Sequence, residues 1–225
     1  MSEQIAIHMV VTIVDRGKCE KVVSVCQEEG VPIHLVSLGH GTARTEMLDL
    51  LGLGETQKDT VISFVPEFSV CPLLDRLADS MKMRYPGKGI SFAVPVSSVS
   101  AKMYRTLTEC CRQKEERTGS VMACEGKYEL VVALINRGYT DLVMEAARQV
   151  GAPGGTVLNT RGIGSEDVEQ FFGISIQAEK EIVFLVTPTE KRQDVMQAIS
   201  REAGLKTPAK GVVLSLPVSH AIGLA

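Results

Sequence analysis

Three clusters in the second half of the sequence are built on glycine, the last two with a cationic side chain: Gly154-Gly155-Thr156, Arg161-Gly162-Ile163-Gly164 and Pro208-Ala209-Lys210-Gly211. The chemistry they suit is anion binding. Glycine lets backbone N–H groups approach a phosphate closely, and a lysine adds a compact point charge. Taken singly, each cluster also makes an ordinary turn. Their order matters more, because the first leads into a predicted strand, the second leaves it and the third leads into another. Amides and a lysine are therefore expected to gather near one sheet edge. In the first half, Gly39-His40-Gly41 and Pro86-Gly87-Lys88-Gly89 keep parts of the pattern, but Ile33-His34-Leu35 stands where the second half has Gly154-Gly155-Thr156.

Other chemistries find little support. The four histidines, His8, His34, His40 and His220, are spread out, and none pairs with a cysteine or carboxylate at metal-ligand or triad spacing. His34 and His40 share a strand side by their even spacing, which makes a weak metal pattern. The six cysteines, Cys19, Cys26, Cys71, Cys110, Cys111 and Cys124, contain no C-x-x-C pair and read as reduced. Cys19 and Cys26 lie on the apolar stripe of a predicted helix, where a thiol acts as a small hydrophobe. No catalytic residue and no metal ligand is assigned, so the expectation is a protein that is not an enzyme.

The elements that position the clusters come from a repeat. Asp15-Arg16-Gly17 is echoed by Asn136-Arg137-Gly138, a shift of 121 (138 minus 17), and Gly30, Pro32, Gly41 and Gly52 recur at the same spacing. After one inserted residue the shift is 122, carrying Pro66 onto Pro188, Lys88 onto Lys210 and Pro95-Val96 onto Pro217-Val218. Within each copy the hydrophobic period alternates between strand and helix in a fixed order. Strands are predicted over 5–14, 33–38, 60–65 and 89–96, and again over 128–135, 156–160, 182–187 and 211–218. The helix stripes are Cys19, Val22, Val23, Cys26 and Val70, Leu73, Leu74, Leu77, Met81 in the first copy. Thr140, Val143, Met144, Ala147 and Val195, Met196, Ile199, Ala203 match them in the second. The fold class is α+β, with two ferredoxin-like β-α-β-β-α-β domains in tandem. The division is a divergent copy over 1–98, a helical connector over 99–126 with its helix over 101–117, and a second copy over 127–225.

Val10, Val11, Ile13 and Val131, Val132, Leu134 fall on both sides of their strands, so the sheet face away from the helices is also apolar. Such a face must be buried by the sister copy or by another chain, and self-association is expected. The composition, with 44% apolar residues, 23% charged and a net charge of −3, is that of an ordinary globular protein and offers no basic block for nucleic acid. No apolar run reaches the roughly 18 to 20 residues of a membrane span, and Met1-Ser2-Glu3-Gln4 lacks the start of a signal peptide. A cytoplasmic location is expected.

In this order the motifs carry a resemblance. The second copy has the three clusters, then Glu179-Lys180-Glu181-Ile182-Val183 and Ser215-Leu216-Pro217-Val218, and over nearly its whole length it resembles the nitrogen regulatory P-II family. The resemblance implies a trimeric signalling protein of ferredoxin-like fold. Such proteins bind adenine nucleotides in clefts between neighbouring subunits and move a loop between strands two and three to engage a target protein. Carried over by position, Thr156, Gly162 and Gly164 would line the cleft and Lys210 would face the phosphates. The candidate effector-binding residues are thus Gly155, Thr156, Arg161, Gly162, Gly164, Lys210 and Gly211, with Gly87 and Lys88 in the first copy. No cofactor is obligatory; ATP, ADP or AMP are the ligands implied. The partners expected are further copies of the chain, as a trimer, and a regulated target protein, in nitrogen regulation if the resemblance holds that far.

The sequence departs from the family in two places. The loop over 165–177 is short and has no tyrosine, which removes support for uridylylation control. The arginines that follow strand four in nucleotide-binding members are also absent, so two charge-assisted hydrogen bonds are lost. Val168, Phe171 and Phe172 follow a Ser165-Glu166-Asp167 helix start at i, i+3, i+4. Phe171 and Phe172 are either a partner-binding anchor or packing within the assembly. Alternatives from other classes are a structural assembly module with vestigial pockets and a metal-tolerance protein of the CutA type.

Overall fold

A computed structural model describes residues 5–42, 56–112, 127–161 and 179–224 of the chain. The candidate residues Gly162, Gly164, Phe171 and Phe172, and the connector beyond residue 112, lie outside the described residues.

The first copy runs β1 (Ile7–Asp15), α1 (Cys19–Glu28), β2 (His34–Gly41), β3 (Thr56–Pro66), α2 (Glu67–Ser80) and β4 (Ile90–Val96). A connector helix α3 (Ala101–Arg112) follows. The second copy runs β5 (Tyr128–Asn136), α4 (Thr140–Gln149), β6 (Thr156–Arg161), β7 (Glu179–Pro188), α5 (Arg192–Ala203) and β8 (Val212–Val218). The expected β-α-β-β-α-β order is present twice, with third strands several residues longer than their apolar runs. The short strand β9 (His220–Ile222) was not expected, because three residues are too few for a period to show.

The chain forms two compact units. One comprises Met1–Ser37, Lys58–Tyr128 and Pro217–Ala225; the other comprises Leu38–Gln57 and Glu129–Leu216. Each unit thus takes in a segment from the other copy, and β2 contributes its start to the first unit and its end to the second. Strand order in the first is β2-β3-β1-β4-β9 and in the second β8-β5-β7-β6-β2. Within each copy this is the 4-1-3-2 arrangement of a ferredoxin-like sheet. Strand β1 is central, antiparallel to both β3 and β4, with Val10 opposite Ser63 on one side and Ala93 on the other.

One sheet face packs against the helices. In the first unit Val10 and Val14 of β1 meet Val22 and Cys26 of α1 and Val70, Leu73, Leu74 and Leu77 of α2, all but fully buried. In the second, Val131, Ala133 and Ile135 of β5 meet Val143, Met144 and Ala147 of α4 and Val195 and Ile199 of α5. These are the stripes the period named. Each fully buried Leu or Val supplies roughly 1.5–3 kcal/mol. The connector helix belongs to the first unit. Cys111 joins its core, and the α3 backbone lies so near Gly30 that an added Cβ would stand 2.7 Å from the Cys110 carbonyl.

The opposite face is apolar, as expected, and Ile7, Val11, Ile13, Phe92, Val94, Leu130, Val132 and Leu158 are each at most 8% exposed. Other large apolar side chains on the strands are exposed: Leu35 at 56%, Val36 at 50%, Leu38 at 59%, and Leu134 and Leu214 at 36% each.

Candidate functional site

Each copy opens its first helix with the same device. Neither Lys18 nor Tyr139, at the cap positions of α1 and α4, caps its helix with a side chain. A buried carboxylate from the third strand stands there instead and accepts from groups at the helix start. In the first copy Asp59 Oδ2 accepts from the Gly17 N–H at 2.7 Å and the Cys19 N–H at 3.3 Å, while Arg16 pairs with Oδ1 at 3.3 Å. In the second, Glu181 Oε2 accepts from the Gly138 N–H at 3.2 Å and the Thr140 hydroxyl at 2.7 Å. A negative charge at a helix N-terminus complements both the unmet donors and the dipole. Sequence reasoning missed this pair. The signal was available, since Asp59 and Glu181 lie at the 122 spacing that carries Pro66 onto Pro188.

Lys210 stands in the turn before β8, with φ +48, a left-handed conformation rare for a side-chain-bearing residue. Three backbone bonds close the turn: Thr207 N–H to the Gly204 carbonyl at 3.0 Å, Lys210 N–H to the Thr207 carbonyl at 3.1 Å, and Gly211 N–H to the Ala203 carbonyl at 2.9 Å. Asn136 at the end of β5 ties it to the sheet. Its N–H donates to the Ala209 carbonyl at 2.9 Å and its Nδ2 to the Pro208 carbonyl at 3.0 Å, while Lys180 donates to its Oδ1. Arg137 pairs at the surface with Glu179, whose Cα register partner is Arg161, the last residue of β6. Hence Lys210, Lys180, Arg137 and the backbone of Arg161 share one end of the second unit's sheet, and Lys210 makes no ion pair among the described residues. Gly211 has a packing role as well, since any Cβ there would stand 2.1 Å from the Ala203 carbonyl oxygen.

Gly155 and Thr156 are not part of that end. Thr156 opens β6 opposite Phe184, whereas Arg161 closes it opposite Glu179, so the two ends are about 16 Å apart along the strand. The expected gathering of all three clusters at one edge does not occur within a unit. Both backbone groups of Gly155 are already engaged by Thr42, which follows β2. Gly155 N–H donates to Thr42 Oγ1 at 3.0 Å, and the Gly155 carbonyl accepts from Thr42 N–H at 2.9 Å and from its hydroxyl at 3.1 Å. Arg148 of α4 donates to the Thr42 carbonyl at 2.6 Å. The strand edge beside Thr156 is covered too, by the pairing of Gly39, His40 and Gly41 with Leu158, Val157 and Thr156.

The first copy has a different balance of charge at the corresponding end. Asp15 replaces Asn136, and its carboxylate accepts from Lys18 and Lys58, each at 2.7 Å. Burial alone would raise the Asp15 carboxyl, but the hydrogen bonds from the two lysines outweigh it and hold the group below the usual range. Gly87, at φ +75, and the exposed Lys88 sit in the turn before β4. Gly223 closes on that turn from β9, so near that a Cβ would stand 2.2 Å from the Gly89 carbonyl oxygen.

The remaining candidates are structural. His34 is tied at both ring nitrogens, Nδ1 to Ser63 Oγ and Nε2 to the Val31 carbonyl, each at 3.0 Å, and burial lowers its pKa. Among the described residues, no three His, Cys, Asp or Glu side chains are placed to share a metal ion. Burial pushes the thiols of Cys26 and Cys111 up to about 11, which keeps them neutral members of the core. No described helix is long and apolar enough to cross a membrane.

Among solved structures the chain is similar to PII of Arabidopsis thaliana bound to citrate, at 22% identity and a TM-score of 0.34, covering 42% of this chain and 78% of that one. It is similar to CPII from Thiomonas intermedia K12 bound to ADP, AMP and acetate, at 16% identity and 0.33, covering 44% and 94%. It is also similar to the GlnK–ATP complex of B. subtilis, at 17% and 0.34, covering 44% and 91%. A search of curated proteins gave no match. Residues 128–224 match the family model described as nitrogen regulatory protein P-II. With the fold repeated twice and the family's motifs in order along its second half, the chain carries a domain of the P-II family over residues 128–224.

Proposed function

We propose that the chain is a non-catalytic regulator of P-II type that senses a small anionic effector, an adenine nucleotide foremost, and passes the signal to a partner protein in the cytoplasm. The observation that carries this reading is Lys210. It sits in a left-handed turn pinned by Asn136, makes no ion pair among the described residues, and shares a strand end with Lys180 and Arg161 inside the P-II match. A fixed backbone with cations at its rim suits phosphate oxygens. The effector's phosphates bind at this end, with Gly162 and Gly164 beyond Arg161 supplying amides and Gly211 shaping the turn. Thr156 and Gly155 lie too far along β6 to join Lys210 in one unit. A cleft containing both takes a second chain, as in a ring of three. Gly87 and Lys88 form the weaker counterpart, and Phe171 and Phe172 the contact to the partner, in nitrogen control if the family's role is kept.

A second reading has one observation in its favour. Thr42 fills the hydrogen-bonding capacity of Gly155 from within the chain, as a structural assembly module with closed pockets would have it. Calorimetry with ATP, ADP and AMP separates the two. Wild-type protein is expected to bind, and Lys210→Ala to bind ATP about tenfold to a hundredfold more weakly, the loss of one charge-assisted hydrogen bond. Equal binding by both proteins removes Lys210 from the site; no binding by either leaves the assembly module.

A further inference from the structure

Strand β9 covers the outer edge of β4, with His220, Ala221 and Ile222 in register with Ala93, Phe92 and Ser91. Few contacts hold it there, among them that of Ile222, which packs on the first unit's core. Three residues of pairing are joined by Ser219, whose N–H and hydroxyl donate to the Ala93 carbonyl at 2.9 and 3.2 Å, and by the close approach of Gly223 to Gly89. Beneath the strand, His220 meets His8 of β1 edge to face, with ring centroids 6.4 Å apart. His8 is 4% exposed, and the Nδ1 atoms of both rings are buried without a hydrogen-bond partner. Orphaned polar atoms of this kind are rare in a folded core and call for an explanation.

We propose that the His8–His220 pair is an acid-sensitive latch that keeps β9 on the edge of β4 at neutral pH and releases it on acidification. A neutral imidazole is tolerated in this place, whereas an imidazolium on His8 has no acceptor for its Nδ1 proton and lies against a second histidine. Three influences act on His8. Burial lowers its pKa, the Glu67 carboxylate at the start of α2 opposes that, and His220 adds to the lowering. The net direction is down, so the closed strand holds His8 neutral. A released strand frees it to titrate near its ordinary value of about 6.5. The latch is therefore fully in force above that value and weakens as pH falls through the window between the two pKa values, by up to about tenfold per pH unit. Release leaves the edge of β4 unpaired, a row of N–H and C=O groups open to another strand.

Amide hydrogen exchange read by NMR as protection factors, which remove the intrinsic effect of pH, tests this on the full chain. Between pH 7.5 and 5.5, protection of the β9 amides is expected to fall, by at most about tenfold, while that of the β1–β3 pairing stays constant. His8→Gln should flatten the dependence. His220→Gln, at the half-exposed partner, should reduce it and serves where the His8 variant folds poorly. Protection of β9 that does not change with pH in the wild type, or that falls equally in both variants, overturns the latch.

Discussion

Gly211→Ala is expected to cost about 4 kcal/mol, lowering the melting temperature by roughly 10 °C or preventing accumulation of folded protein. The reason is local and rigid. A Cβ at residue 211 would stand 2.1 Å from the Ala203 carbonyl oxygen, 3.1 Å from its carbon and 3.2 Å from Ile135 Cγ2. That oxygen accepts the Gly211 N–H at 2.9 Å, and Gly204 bridges Gly211 in parallel on the same stretch. The nearest obstacle is backbone, so no flexible side chain can swing away. Gly87→Ala makes the control. Its backbone is at φ +75, yet nothing lies within 4 Å of the added Cβ, so only the left-handed strain of about 1 kcal/mol applies. Urea denaturation of both variants against wild type measures the difference. Equal midpoints would show that the turn before β8 relaxes easily, and would weaken the view of it as a fixed cradle around Lys210.

Removing the carboxylate that opens the first helix should come next in size. Asp59→Ala removes the buried acceptor of the Gly17 and Cys19 N–H groups and its ion pair with Arg16, a cost of about 2 kcal/mol. Asp59→Asn keeps an acceptor but drops the charge, and about half that cost is expected. A second readout separates charge from packing. Burial first, and then the hydrogen bond to Asp59 and its negative charge, raise the pKa of the Cys19 thiol. In Asp59→Asn the thiol should alkylate faster at pH 8, because more of it is thiolate. A rate unchanged or slower would mean that burial alone governs the thiol.

Much of the fold was legible because its signals are local and repeated. The stripe Val70, Leu73, Leu74, Leu77 states a helix and the face it buries, and the 121 and 122 spacings state that whatever Ile7–Asp15 forms, Tyr128–Asn136 forms again. What escaped depends on contacts far apart in sequence. Nothing near Gly155 announces Thr42, 113 residues earlier, as the group that would take its N–H and its carbonyl. The predicted strand over 156–160 already set the clusters at its two ends apart by its own length, and the expectation of one gathered edge did not take that length into account. Lys210 was found by residue type, and its left-handed backbone and Asn136 brace are tertiary facts. The apolar character of the second face was legible, but a period of two cannot say what covers it.

The exchange of segments between the units bears on the order in which the protein can be made. During synthesis the first copy leaves the ribosome long before its own compact unit is complete, since that unit needs Pro217–Ala225. Leu38–Gln57, made early, must in turn await the second copy. All segments of the second unit are made before Pro217–Ala225, the last segment of the first. A cut between the copies would leave two incomplete pieces, each lacking a segment that only the other can supply.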